Sequence, residues 1–355
     1  MKGAEYWQDR AEQNIVAGER SVLDYENQLR YIYVEALQSI RKEIEAFYNR
    51  YARENKISYL DAKRALNTKE FKSFRDALEI WMKKAEELGL SESYSAYLKR
   101  LSGRVYISRL EELMANIRFE VEKIGAFEEA KLPELMATNY IAGYYDGYFN
   151  LMEGLEVNTV FNKISTQDID TFVKTNWTGR NYSDSIWEDK QKLMETINTV
   201  IPKSFSRGFN ANKLGDEISK AMGVSQNRGR SLARTEINYI CNQSTLQMYK
   251  SVGLSHYQYL ATLDLRTSEI CRDLDGSVWK TADAKVNINY PPMHVNCRST
   301  TVPYLEDEQE LQRVARDENG SNIMVPFSMT QEEWIKKYVP KSQQAKLLSF
   351  LDKYY

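Results

Sequence analysis

The feature that most narrows the fold is a long helical rhythm near the start of the chain. Tyr25, Leu29, Ile32, Leu37, Ile40, Ile44, Phe47 and Tyr51 recur mostly at three- and four-residue steps, with charges between them. At about 3.6 residues per turn, that spacing lays one apolar stripe along a single long helix. Ser58, with Asp61 three residues on, reads as the N-cap of a short helix carrying Tyr59, Leu60, Ala62 and Leu66. Phe71, Phe74, Leu78, Trp81 and Met82 mark another helix that stops near Gly89; Ser91 is the next N-cap, and Gly103 a break. Val105 to Ile124 is again helical, with an end expected at Gly125.

A tyrosine-rich helix follows, with Tyr140, Tyr144, Tyr145, Tyr148 and Phe149. Rings at this spacing can stack on bases, but a half-buried packing face is the simpler reading. Residues 155–225 read as short helices with Gly or Asn breaks, and Gly223 precedes a helix from Gln226 to Ser251. After Gly253 the pattern changes. His256 to Thr262 is aromatic and partly alternating, Asp275-Gly276 is a turn dipeptide, Ser277 to Trp279 restarts an extended segment, and Ser299 to Tyr304 closes it. Pro291-Pro292 forbids helix between them.

The expected fold is therefore α+β and mostly α: a long N-terminal helical region, then a small α+β module with a short antiparallel sheet. The expected organisation is a helical partner-binding region over 1–150, a mixed helical connection over 151–225, the module over 226–305, and an acidic linker with C-terminal helices over 306–355.

Length and composition bound the function. The 355 residues suffice for two or three domains, and 42% hydrophobic with 28% charged residues is the balance of a globular protein. No apolar run approaches a membrane span, and the opening MKGAEYWQDRAEQN has no apolar core of a secretory signal, so a cytoplasmic site of synthesis and no membrane partner are expected. Three cysteines make no disulfide framework. The net charge of −2 argues against a generally basic nucleic-acid coat, yet residues 201–250 hold eight basic residues against three acidic ones. Lys220, Arg228 and Arg230 are the candidate phosphate contacts in that stretch; a solvated helix face is the bland alternative. Glu306, Asp307, Glu308 and Glu310 form part of the acidic counterweight.

The densest chemistry lies in DLRTSEICRDLDGSVW and YPPMHVNCRSTTVPY. Cys271, His294 and Cys297 are metal-ligating types; His294 and Cys297 are three apart, and Cys271 can fold back across the hairpin. Zinc is the candidate metal, with Asp264 or Asp273 as a less usual fourth ligand, because Ser268 stands where a second cysteine would complete a C-x-x-C. The same Cys271 and His294, with Asp264 or Asp273 orienting, are also the elements of a thiol dyad. Glu236 reads as an internal partner for Arg234, Arg266 or Arg298 more simply than as a nuclease acid. Each of those arginines precedes a Ser or Thr, at Thr235, Thr267 and Ser299, a pattern that suits a polar network holding irregular backbone.

At these residues the chain resembles the minor head, or head morphogenesis, proteins of tailed phages, the group that includes the F protein of phage Mu and its relative in the Bacillus phage SPP1. LARTEINYICNQ is similar to the family's Arg-Thr-Glu helix through Arg234, Thr235 and Glu236. DLRTSEICRDLDG is similar to a second block through Asp264, Arg266, Thr267, Cys271, Leu274, Asp275 and Gly276. PPMHVNCRSTTVP is similar to a third through Pro291, Pro292, His294, Cys297 and Arg298. WTGRNYSDSIW resembles a block that relatives in Gram-positive phages carry upstream, with Trp177, Gly179, Ser183 and Trp187. The resemblance departs at Ser268, near which many relatives carry another Cys or His, and it does not reach 306–355.

The resemblance implies a low-copy structural protein, not an enzyme, located in the virion head near the portal and in the host cytoplasm during assembly. It implies the portal protein as partner, with scaffolding and major capsid proteins and double-stranded DNA, bound without sequence preference, as further ones. Packaging, retention or ejection of DNA is the implied role. The alternatives are a metal- or thiol-dependent enzyme and a host-directed effector delivered with the genome.

Overall fold

The computed structural model describes residues 4–52, 55–155, 164–304, 312–316, 322–326, 331–338 and 344. In chain order the helices are α1 (Ala4–Tyr51), α2 (Tyr59–Ala62), α3 (Thr68–Glu87), α4 (Glu92–Ser102), α5 (Arg109–Leu155), α6 (Thr166–Lys174), α7 (Tyr182–Ser206) and α8 (Ala211–Ser251). Strand β1 (His256–Leu260), helix α9 (Glu269–Leu274) and strands β2 (Val278–Lys280) and β3 (Thr300–Tyr304) follow. Strands β4 (Gln312–Arg316) and β5 (Asn322–Pro326) and helix α10 (Gln331–Tyr338) come last. The protein is mostly helical with a small sheet late in the chain, as its periodicity predicts.

Local chemistry sets most of the helix ends. Ser58 accepts a hydrogen bond from the Asp61 backbone at the start of α2, and Ser91 does the same for Tyr94 at the start of α4. Full capping boxes open α3 (Asn67 with Glu70), α6 (Ser165 with Asp168) and α7 (Asn181 with Asp184). Gly89, just past α3, takes a left-handed φ of 61° that side chains resist, which is why the helix ends there.

Two expected breaks are absent. Helix α5 runs through Gly125 and Pro133, and α8 starts at Ala211 and runs through Gly223. A helical glycine costs only about 1 kcal/mol, less than the burial of one large apolar side chain, so packing overrides it. The stretch read as short helices holds the 25-residue α7 and the first third of α8. Within 306–355, β4 and β5 pair antiparallel, and α10 coincides with the helix expected over Gln331–Tyr338. The acidic run Glu306–Glu310 and most of the last helix expected, over 342–355, lie outside the described residues.

The chain divides into two compact units, and α1, α5 and α8 contribute to both. One unit comprises Asp24–Pro133 and Thr178–Arg230. One core of that unit joins Phe74, Leu78, Tyr94, Leu98, Ile107 and Phe119, and Trp81 stacks on Phe119 at 5.7 Å. Tyr33, in the same unit, bonds to Ser225 at 2.8 Å.

The other unit comprises Met1–Leu23, Glu134–Trp177 and Ser231–Tyr355. Here three helical segments pack through glycines. A Cβ on Gly18 would meet Cys241 Sγ, one on Gly143 would meet Ser244 Oγ, and one on Gly147 would meet Met248. Gly143 and Gly147 are one turn apart on α5, as Ser244 and Met248 are on α8, so bare backbone lets the two helices approach along a shared line. Tyr140, Tyr144 and Tyr148 are buried, and Tyr140 stacks on Phe172 at 4.8 Å, so this tyrosine row is packing surface. The sheet of this unit has order β2-β1-β3, antiparallel throughout, with Tyr257 opposite Trp279 and Pro303.

Candidate functional site

The residues singled out between Ser231 and Tyr304 converge in one module of the second unit. Its frame is α8 clamped to β3. Asn238 and Asn242, one turn apart, both donate to the Ser299 carbonyl at 3.2 Å. Thr300 donates to Asn242, Tyr290 donates to the Asn242 carbonyl at 2.8 Å, and Tyr249 donates to the Thr301 carbonyl. These buried groups replace lost water contacts with bonds across the helix–sheet joint. The sequence reading missed them. Their only signal is a pair of asparagines at i and i+4 within a row of Ser231, Thr235 and Thr245 at helical spacing.

Asp264 anchors the loop after β1. Arg298 grips its carboxylate with both guanidinium arms, one at 2.7 Å, and the Arg266 backbone N–H donates to it at 2.8 Å. Burial alone would raise the Asp264 pKa, but Arg298 and the backbone donor outweigh it and hold the group below the usual carboxylate range. Arg266 keeps its side chain largely in solvent, 3.8 Å from the same carboxylate. Thr267 donates to the Thr262 carbonyl, closing the loop. In the Leu-Asp-Gly turn, Asp275 accepts from the Ala261 N–H at 2.9 Å. Gly276 has a φ of 75°, which places its N–H on the Tyr259 carbonyl.

The Arg-Thr-Glu segment of α8 splits its roles by face. Thr235 is buried; it donates to the Ser231 carbonyl and accepts from the Asn296 N–H at 3.0 Å, tying the helix to the loop of His294 and Cys297. Glu236 is buried and accepts from the Trp177 indole at 3.1 Å, while Trp177 stacks flat on Tyr239 at 4.8 Å. The expected arginine partner is thus replaced by a tryptophan 59 residues upstream. Arg234 is exposed, since residues two apart on a helix point to nearly opposite sides. Burial pushes the Glu236 carboxyl up to about 7, against the opposing pull of the Trp177 donor.

Cys271, His294 and Cys297 come together. The two sulfurs are 3.8 Å apart, and Cys271 Sγ lies 3.3 Å from His294 Nε2. Ser268 Oγ is 2.7 Å from the same nitrogen. Cys271 sits on the short α9, whereas His294 and Cys297 share a tight turn closed by the Cys297 N–H on the His294 carbonyl, with Asn296 at a φ of 59°. Both cysteines are buried. Cys297 is pulled down to about 6, chiefly by the hydrogen bond from Cys271, and the Cys271 thiol is raised by the same coupling and by burial. The third thiol, Cys241, packs against Gly18 and is pushed up to about 12 by burial.

The thiol and imidazole of a dyad lie within reach of each other, but Asp264 does not orient the ring. His294 Nδ1 donates to the Val295 carbonyl at 2.9 Å rather than to a carboxylate, and Asp264 is occupied by Arg298. Among the described residues, the group with metal-ligand geometry holds Cys271, His294 and Cys297 and no aspartate. A cleft of about 660 Å³ opens beside the cluster, between the first part of α1 and the module, lined among others by Glu19, Arg234, Arg266, Ser268 and His294.

The three cations proposed from the basic stretch belong to the other unit, and each has a carboxylate beside it. Lys220 lies 2.9 Å from Glu217, Arg228 3.4 Å from Asp189, and Arg230 3.1 Å from the buried Glu26. These three charges of the basic stretch are therefore balanced locally in space. Among the described residues, no helix is long and apolar enough to cross a membrane.

Residues 195–302 match the family described as Phage Mu protein F like protein. The chain is 20% identical over 122 residues to an uncharacterized protein of Haemophilus influenzae, an alignment covering 34% of this chain and 27% of that relative. The chain thus spans about a quarter of that relative's length. No solved structure matches the chain.

Proposed function

We propose that the chain is a minor head protein acting in head morphogenesis at the portal, inside the procapsid, a reading supported by the match of residues 195–302 to the Phage Mu protein F like family. The observation that carries this reading is the fate of the family-like residues. Thr235, Asp264, Asp275, Gly276 and Arg298 bond to other segments within the module, and Glu236 ties α8 to Trp177 upstream of it. That is the chemistry of a shape-holding part, with virion proteins as its partners and the virion head as its location.

A protein partner needs surface, and the first unit supplies it. Leu60 on α2 and Val105 and Tyr106 ahead of α5 are exposed, and the Tyr106 hydroxyl reaches the Lys63 carbonyl just past α2 at 3.4 Å, so the two segments are joined. Exposed apolar clusters of this kind mark interaction surfaces. Copurification of the tagged chain with the portal protein from infected cells tests the proposal. Recovery in procapsid and head fractions is expected; absence from purified heads would sink it.

Nonspecific DNA contact through Lys220, Arg228 and Arg230 is a secondary part of this proposal. The Lys220 and Arg228 pairs are worth only about 0–1 kcal/mol, so phosphate can displace their carboxylates at small cost, whereas Arg230 would meet phosphate while keeping its buried partner Glu26.

A further inference from the structure

The Cys271, His294 and Cys297 cluster has the dimensions of a metal site. Zinc binds thiolate sulfur at about 2.3 Å and imidazole nitrogen at about 2.0–2.1 Å in a tetrahedral array. Simple geometry then separates two sulfur ligands by about 3.8 Å, and a sulfur from a nitrogen by about 3.6 Å. The corresponding separations here are 3.8 Å for the two sulfurs and 3.3 Å for Cys271 Sγ to His294 Nε2, and all three ligand atoms lie within 4.8 Å of one another. A disulfide holds its sulfurs at about 2.05 Å, so the two thiols are free here and available to share an ion.

The surroundings orient each ligand. The Nδ1–H of His294 is held by the Val295 carbonyl, which turns the Nε2 lone pair toward the sulfurs. The buried Tyr259 hydroxyl donates to Cys271 Sγ at 3.4 Å. Thr235 fixes the turn between His294 and Cys297 through the Asn296 N–H. We propose that Cys271, His294 and Cys297 bind one zinc ion, and that its fourth coordination position is filled by solvent from the adjoining cleft rather than by a protein side chain. Two thiols lose their protons to solvent on binding, and two thiolates with a neutral imidazole balance the dication. Thiolate and imidazole together select zinc over magnesium or calcium. Ser268, His294 and Cys297 all line the cleft, so the fourth direction faces open space. The Ser268 hydroxyl hydrogen-bonds to Nε2 here at 2.7 Å, shorter than the spacing of two ligands on one zinc ion, so it occupies the lone-pair direction that the metal takes.

The full chain, loaded with zinc and passed through gel filtration, is expected to retain one equivalent. Cobalt in its place is expected to show the sulfur-to-metal charge-transfer band and strong visible bands of a tetrahedral thiolate site. Cys297→Ser is expected to lower zinc affinity at least about 10-fold, as removal of a ligand should exceed the loss seen when only a supporting group is removed. Cys241→Ser is expected to leave it unchanged. Ser268→Ala should keep the metal, and Ser268→Cys, which adds a third thiolate as the fourth ligand, should tighten it. The unsubstituted chain decides the first claim without relying on any variant's folding: no retained zinc and no cobalt charge-transfer band overturns the site. Loss of zinc from a folded Ser268→Ala protein overturns the open fourth position.

Discussion

At the scale of the residue, two buried carboxylates have opposite electrostatic fates. Asp264 is held below its ordinary pKa by Arg298, so its contribution to stability is full above the unfolded value of about 3.9 and is lost as pH falls through the folded value. Asp264→Asn would leave Arg298 facing a neutral amide in a mostly buried position, at a cost of roughly 2–4 kcal/mol at pH 7. Urea denaturation should show that gap at neutral pH and its disappearance at the acid end. A gap that persists unchanged at low pH would mean that packing, not charge, holds the loop. Glu236 runs the other way. Its pKa rises to about 7 on burial, so the folded state holds the proton more tightly, and stability should fall as pH climbs from about 4 to about 7. Glu236→Gln keeps an acceptor for Trp177 and removes the titration. Its melting temperature should exceed that of the parent at pH 8 and approach it at pH 5; equal melting curves at both would refute the assignment.

At the scale of the element, the same residue type should give opposite results at two sites. Gly143 lies where a Cβ would run into Ser244, and Leu there should overpack the α5–α8 contact by about 1–3 kcal/mol. Gly223 sits inside α8 with nothing within 4 Å of its missing Cβ. Gly223→Ala should stabilise by about 0.5–1 kcal/mol, because alanine loses less backbone entropy in a helix. Thermal denaturation of the two variants should move in opposite directions, and a destabilised Gly223→Ala protein would show that α8 needs the glycine for more than connectivity.

At the scale of the whole molecule, the test is whether the basic stretch meets phosphate. With at most three cations engaged, log affinity for duplex DNA should fall with log salt at a slope near −2.7, about −0.9 for each phosphate neutralised. Replacing Lys220, Arg228 and Arg230 together with Ala should flatten that slope without unfolding the protein; the Lys220 and Arg228 pairs should cost about 1 kcal/mol each at most, and the loss of Arg230 from the buried Glu26 more than that. Unchanged DNA affinity at low salt would assign this face to a protein partner or to solvent. Leu60→Glu combined with Val105→Glu addresses the protein partner directly: folding should be unaffected, and incorporation into heads should drop.

Local chemistry made much of this protein legible from its sequence. Capping residues, apolar steps and turn dipeptides act over four or five residues, so Ser58, Ser91 and Gly89 mark their helix ends and β1, β2 and β3 fall within a few residues of their expected places. The blocks around Arg234, Asp264 and His294 likewise carried the family resemblance without any coordinates. Partner choice was not legible, because it depends on distance in space rather than along the chain. Trp177 reaches Glu236 from 59 residues away, and Glu26 reaches Arg230 from 204. Tertiary packing carried α5 past Gly125 and α8 past Gly223, since burying large side chains outweighs a glycine's weak preference. It also brought Cys271 to His294 and Cys297, a convergence that spacing along the chain permits and only the fold of the module around β1 achieves.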